Sequence, residues 1–281
     1  MKKSFLFTGF LLSLALLFSS CKSQFEKIRA SGNTDLIYQK AFEYYENGEY
    51  LRAQTLFELI IPAYRGKPEL EKIYFTYSYT YYNLGKFILA NYYFKNFSTT
   101  FPTSPLREEV DFMAAYSDYQ MSPTYRLDQT YTEKAIEEFQ TFTNTYPTSE
   151  RVKECNRLID EMRLKMEKKM FEEGQLYFNL RQYQAATVTF GNLLKDFPET
   201  KNGEQVRYLI AKAAYNLAEN SVYDKQEERY RTAVNYSREF VSKYKGSDNY
   251  KEIKSIYDSS VKKLKSLTNG RYQDEGARLG S

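Results

Sequence analysis

The sequence predicts an all-α fold: about five helical hairpins stacked in a row and closed by a final capping helix. Three observations point there. From about residue 34 onward, apolar residues recur at helical spacing and strand signals are nearly absent. Along the same stretch a block of small and aromatic residues repeats itself. Glycines number only 12 in 281 residues, against 28 Tyr and 20 Phe, which supplies rings for a sizeable core with a surplus for binding surfaces.

The chain opens with Met1-Lys2-Lys3, continues in a nearly unbroken apolar run from Phe5 to Phe18, and reaches Ser19-Ser20 just before Cys21. Residues 1–20 therefore read as a secretory signal peptide. The run is about fourteen residues, short of the ~20 that span a bilayer. A cysteine directly after small residues resembles the lipobox of bacterial lipoproteins. That resemblance implies acylation of Cys21, which becomes the new N-terminus, and attachment to a membrane without crossing it. Lys22 in the next position favours, by analogy with lipoprotein sorting, the outer membrane facing the periplasm. Residues 21–33 are polar and aperiodic and read as a lipidated tether.

The hairpins begin at about residue 34. Ala41-x-x-Tyr44-Tyr45-x-x-Gly48-x-Tyr50-x-x-Ala53-x-x-x-Phe57 is followed by Ser78-x-x-Tyr81-Tyr82-x-Leu84-Gly85-x-Phe87-x-x-Ala90-x-x-x-Phe94. Small residues let two antiparallel helices approach, and Gly48 and Gly85 make the turns. Both copies resemble the tetratricopeptide repeat. Ala90, Ala135 and Ala186 each lead to a proline twelve residues on, Pro102, Pro147 and Pro198, so the register is kept. A fifth copy has Ala233, Phe240 and Tyr244. Copies three and five, with Ala115 to Ala135 and Ala211 to Ala233 far apart, are expected to carry long loops between their helices. Thr130-Tyr131-Thr132-Glu133 fits a capping box, and Ser104-Pro105 places a cap before a first-turn proline.

Residues 34–148 thus hold repeats one to three. Residues 149–267 hold one long helix from Glu150 to about Asn179, repeats four and five, and a cap striped by Tyr250, Ile253, Tyr257, Val261 and Leu264. Residues 268–281 read as a disordered tail.

Aligning the first helices gives two columns that are aromatic in every copy: Tyr38, Phe75, Phe112, Phe171, Tyr208, and Tyr45, Tyr82, Tyr119, Phe178, Tyr215. Members of a pair lie seven residues apart, two helical turns, on one face. Between them a third column reads Phe42, Tyr79, Tyr116, then Gln175 and Lys212. In tetratricopeptide proteins this face tends to line a peptide-binding groove. The candidate groove is therefore Tyr38, Phe42, Tyr45, Phe75, Tyr79, Tyr82, Phe112, Tyr116 and Tyr119. The other reading of any single ring is padding between neighbouring hairpins; for the N-terminal face as a whole, binding is favoured.

One stretch goes beyond generic repeats. Ser122-Pro123, Asp128-Gln129-Thr130, Ala135-Ile136-Glu137-Glu138-Phe139 and Tyr146-Pro147-Thr148-Ser149 resemble the third repeat of the BamD family, the lipoprotein of the outer-membrane β-barrel assembly machinery. Tyr183-x-Ala185-Ala186 with Phe197-Pro198-x-Thr200 is similar to that family's fourth repeat. The resemblance implies a partner in the periplasmic domains of the barrel-inserting subunit, bound by the C-terminal half. It also implies receipt of unfolded outer-membrane proteins by the N-terminal half. Thr130 itself reads as a helix cap rather than a contact. The alternative function is a periplasmic adaptor that organises cell-wall enzymes, with the same fold and anchor.

Composition removes other classes. The chain has no His, no Trp and two Cys, so no Ser-His-Asp triad, His-ligated metal or cysteine-rich zinc site can form. No cofactor, catalytic residue or metal site is expected. Acid pairs such as Glu137-Glu138 sit at adjacent helix positions and do not converge. Lys and Arg total 40 against 36 Asp and Glu, and Lys2 and Lys3 lie in the leader, which is no footprint of a nucleic-acid binder. With Cys21 lipidated, Cys155 is left as a quiet packing thiol.

Overall fold

A computed structural model describes residues 24–279, and their side chains through residue 269. The signal peptide and Cys21 lie outside the described residues. Twelve α-helices and no strand occur among those described: α1 (Gln24–Arg29), α2 (Thr34–Glu46), α3 (Tyr50–Ile60), α4 (Glu69–Asn83), α5 (Phe87–Thr100), α6 (Arg107–Met121), α7 (Thr130–Thr145), α8 (Val152–Asn179), α9 (Tyr183–Asp196), α10 (Gly203–Glu219), α11 (Tyr223–Lys243) and α12 (Tyr250–Leu279). A 3-10 turn, Ile61–Tyr64, follows α3. None of these helices is long and apolar enough to cross a membrane.

The chain forms two compact units. The first holds residues through Pro123 and Gln129–Ile159; the second holds Thr124–Asp128 and everything from Asp160. In the first unit α2/α3, α4/α5 and α6/α7 are hairpins, and each helix packs on the next. One small residue per hairpin, Ala41, Ser78 and Ala115, is fully buried where the two helices approach, and Phe57, Phe94 and Phe139 of the outer helices are equally buried. Burial of such a ring stabilises by roughly 2–3 kcal/mol. The turns use Gly48 at φ 75° and Gly85 at φ 68°, where a Cβ would be strained.

In the second unit α9 packs on α10, α10 on α11, and α12 covers α10 and α11. Ala186, Phe190, Leu193, Val206 and Ile210 form its main core. Ala211, Phe240 and Ile253 seal the cap. Gly174, inside α8, occupies the small-residue position of the fourth hairpin. A Cβ there would stand 2.6 Å from Phe190 Cε1, so only glycine permits this approach.

Several expectations are corrected. The tether is partly folded: α1 buries Ile28, and Phe25 meets Tyr44 edge-on at 5.8 Å, too short a stripe to register as periodicity. Copy five has no long loop, since only residues 220–222 separate α10 from α11 and the extra residues lengthen α11 to 21. Thr130 is not a cap but the first helical residue. The position before it is Gln129, buried, whose Oε1 accepts from Thr132 Oγ1 at 2.7 Å. Finally, α12 runs on through Leu279 where a disordered tail was expected. The stretch contains no proline, and its glycines weaken a helix by only ~1 kcal/mol each without removing a donor. Ser104 is not the cap of α6 either, since Leu106 holds that position and Pro105 precedes the helix; Ser104 Oγ instead accepts from Leu106 N–H at 3.0 Å in the turn before it.

Candidate functional site

The three ring columns of the first unit are built by one rule applied three times. The ring at the head of each column set leans on the ring four residues on: Tyr38–Phe42 at 4.8 Å, Phe75–Tyr79 at 4.9 Å and Phe112–Tyr116 at 5.6 Å. The middle ring meets the buried phenylalanine of the outer helix edge-on, as in Phe42–Phe57 at 5.0 Å and Tyr79–Phe94 at 5.1 Å. The last ring meets the residue that opens the next helix, Tyr45–Tyr50 at 5.5 Å and Tyr82–Phe87 at 5.4 Å. Hairpins are linked along the columns by Tyr82–Tyr116 at 6.3 Å and by Asn83 Nδ2 donating to Tyr45 Oη at 3.3 Å. Each such pair adds about 0.5–1.5 kcal/mol beyond its burial.

Eight of the nine candidate rings, Tyr38, Phe42, Tyr45, Phe75, Tyr79, Tyr82, Tyr116 and Tyr119, are half-buried. Padding and exposure are therefore two sides of the same ring: one edge packs on the hairpin and the other faces solvent. Phe112 is the exception at 5 % exposure, enclosed by Tyr116, Phe139 and Phe142 with the Arg151 guanidinium 4.1 Å above its face. It is a core residue.

Charged groups on this face escaped the sequence reading. Lys72 Nζ lies 4.6 Å over Phe42, Tyr79 donates its hydroxyl hydrogen to Glu109, and Glu109 pairs with Arg151. Burial, then the bond to Glu109, push the Tyr79 phenol well above its usual range, so it stays a donor. A signal for them was present. Asp35, Lys72 and Glu109 stand three residues before Tyr38, Phe75 and Phe112, and an i, i+3 neighbour shares the face. The face thus offers ring edges beside alternating charges of both signs.

The opposite side of α6 differs. Between α5, α6 and α7 lies a cavity of about 640 Å³ whose lining includes Asn91, Lys95, Asp118, Lys134 and Glu138. Asp118 is 4 % exposed. Burial, then the charge of Glu138 and a hydrogen bond with it, push its carboxyl up to about 6, while Lys95 and Lys134 pull the other way.

In the second unit the first column persists, with Phe171 6.0 Å from Phe190 and Tyr208 6.4 Å from Phe240. The middle column does not. Lys212 Nζ donates to Tyr208 Oη and to Glu252 of α12, both at 2.9 Å. The Asp-Gln-Thr stretch is absorbed into structure too: next to it, Leu127 O accepts from Lys169 Nζ at 2.7 Å, and Lys168 covers Tyr125 at 4.5 Å. Cys155 is buried and free, and burial pushes its thiol up to about 11, which makes it unreactive at neutral pH.

Paired helices with a small-residue seam, glycine turns and a ringed inner-helix face define the class, a tetratricopeptide-like repeat protein, and no group of metal-binding side chains occurs among the described residues. The chain belongs to the YfiO family of outer membrane lipoproteins, the BamD family, whose pattern matches residues 31–229. It is an outer membrane lipoprotein of a non-catalytic family. Among curated proteins none matches the sequence. Among solved structures it is similar to the TPR2AB domain of yeast Sti1 in its pHSP90 complex, at 12 % identity and TM-score 0.38, covering 88 % of this chain and 96 % of that one. It is also similar to the MamA protein, at 12 % identity and TM-score 0.31, covering 75 % and 94 %.

Proposed function

We propose that this lipoprotein is a scaffold of the β-barrel assembly machinery. Its first unit receives unfolded outer-membrane proteins, and its second unit binds the periplasmic domains of the barrel-inserting subunit. Family membership supports the setting, and one observation carries the receiving role: eight half-buried rings in three repeated columns on α2, α4 and α6. Outer-membrane strands alternate apolar and aromatic residues, and a terminal strand of that kind would set its apolar side chains against the free ring edges. Rings lose little entropy on binding, so an accepting face built of them suits many clients of similar pattern. Lys72, Glu109 and Arg151 would meet the polar side chains and the terminal carboxylate.

The test replaces Tyr79 and Tyr116 together with alanine and measures capture of a C-terminal barrel peptide by the folded protein. Loss of two contact rings is expected to weaken binding by roughly tenfold or more, with the helical circular dichroism unchanged. Unaltered affinity would remove the ring face from the mechanism. Phe112→Ala, in contrast, should lower stability.

A further inference from the structure

We propose that the outward faces of α3 and α5 lie against the lipid leaflet that holds the anchor, with Leu51, Leu59, Ile88, Leu89 and Tyr92 as the contact residues. Leu51 is 62 % exposed, Ile88 61 % and Tyr92 59 %, and Leu59 and Leu89 are also exposed. Along a helix these residues group on one side: Leu51 and Leu59 are eight apart, Ile88 and Tyr92 four apart with Leu89 beside them.

The same repeat positions in the third hairpin are polar. Counted from the buried alanines Ala53, Ala90 and Ala135, the position two residues earlier reads Leu51, Ile88, Glu133, and the position two residues later reads Thr55, Tyr92, Glu137. The position one residue earlier reads Arg52, Leu89, Lys134. Within the first unit, large exposed apolar side chains thus fall on the two hairpins that follow the anchor and not on the third; in the second unit Val188 of α9, at the repeat position of Tyr92, is exposed singly.

The position of the anchor supplies the occupant. Cys21, the residue expected from the sequence to carry the lipid, stands three residues before Gln24, the start of α1. Three residues reach at most about 10 Å even when extended. The helix α1 is not free to wander from the hairpins: Ile28 is buried, Phe25 packs on Tyr44, and Arg52 of α3 lies 5.8 Å from the Phe25 ring and 5.5 Å from the Tyr44 ring. Arg52 is the chain neighbour of Leu51, so the start of α1 lies beside the N-terminal end of α3, where the apolar strip begins. The start of α5 is beside it, because Lys86 Nζ donates to Gln54 Oε1 at 2.9 Å. An apolar strip within reach of inserted acyl chains would otherwise remain in water next to an interface that accepts it.

The attachment is apolar rather than ionic. Arg52 pairs with Glu49 and Lys95 with Glu138, so neither cation is left over for anionic headgroups. Tyr92 suits the headgroup level, where a ring with a hydroxyl tip is favoured.

The chain lacks tryptophan, so single tryptophans report without background. The lipidated full-length protein would be placed in vesicles of phosphatidylethanolamine and phosphatidylglycerol with brominated acyl chains, as Leu51→Trp, Ile88→Trp, Tyr92→Trp and, in the third hairpin, Glu133→Trp. The expected result is a blue shift and bromine quenching at positions 51, 88 and 92, persisting in high salt, with position 133 solvent-like and unquenched. If one variant misfolds by circular dichroism, the other two carry the test. Silence at the first three positions would overturn the proposal. So would equal quenching at 133, or a change that requires an added protein partner.

Discussion

The two units carry the same repeat but use its inner-helix face differently. In the first, the middle column is Phe42, Tyr79 and Tyr116, each with one edge in solvent. In the second, the corresponding residues are Gln175 and Lys212, and Lys212 is engaged with Tyr208 and Glu252 of the capping helix. An unfinished stack must end on something polar, and the second unit commits its face partly to that end. The first unit has no such duty, and its middle rings stay only half-buried. A shared small-residue seam therefore sets the fold, and the residue midway between the two constant ring columns sets the chemistry that each unit's face presents.

The seam singles out one hairpin of the second unit. Ala41, Ser78, Ala115 and Ala211 fill it in four hairpins, and Gly174 in the fourth in order. Helix propensity alone says Gly174→Ala should gain ~1 kcal/mol. The Phe190 ring, whose three nearest atoms would lie 2.6 to 2.9 Å from the new Cβ, says the reverse. Packing is expected to win, with a net loss of roughly 1–3 kcal/mol in urea denaturation. A gain would mean that α8 and α9 part freely, and the two units would then share one helix spacing.

The outer sides differ as well. The position held by Asp118 in the first unit is Ala214 in the second, where the cavity between α9, α10 and α11 is smaller, about 340 Å³. Because the folded state raises the Asp118 carboxyl from 3.8 to about 6, it binds the extra proton between those values. Stability is therefore highest below pH 4 on this account and falls as pH rises toward 6, by on the order of 1 kcal/mol or more. Asp118→Asn, which keeps a donor toward Glu138, should flatten that slope in thermal melts across pH 4–6. An unchanged slope would assign the pH response to other groups.

How much of this was legible follows from what a side chain must do. The hairpins and their register were readable because an alanine or serine at a close helix approach and a phenylalanine opposite it leave few alternatives. The ring columns were readable because both step by 37 residues, with one shared jump of 59, as between Phe112 and Phe171. Which ring is sealed was not, since Phe112 is buried by Arg151 and Phe142 from elsewhere in the chain. The docking of α1 was also invisible, because Phe25 and Ile28 are too few to form a stripe. Copy five misled because alanine-to-alanine distance counts residues without telling loop from helix, and α11 spends them as helix.

The fourth turn hid in the same way, and it offers the finest comparison between units. In the first unit Gly48 and Gly85 take φ 75° and 68°; in the second, Arg181 takes φ 59° at the same place. The backbone bonds are alike, Gly48 N–H to Tyr45 O at 3.0 Å and Glu49 N–H to Tyr44 O at 2.8 Å, against Arg181 N–H to Phe178 O at 3.0 Å and Gln182 N–H to Tyr177 O at 2.9 Å. The turn is thus specified by helix-end hydrogen bonds rather than by glycine, and arginine tolerates a left-handed conformation that costs an L-residue roughly 1–2 kcal/mol. Arg181→Gly would relieve that strain but add freedom to the unfolded chain, so the expected gain is only about 0.5–1 kcal/mol. It should appear as a higher urea midpoint with an unchanged slope. If stability instead falls, the exposed Arg181 side chain holds the turn through contacts of its own, and the second unit closes its hairpin by a different means from the first.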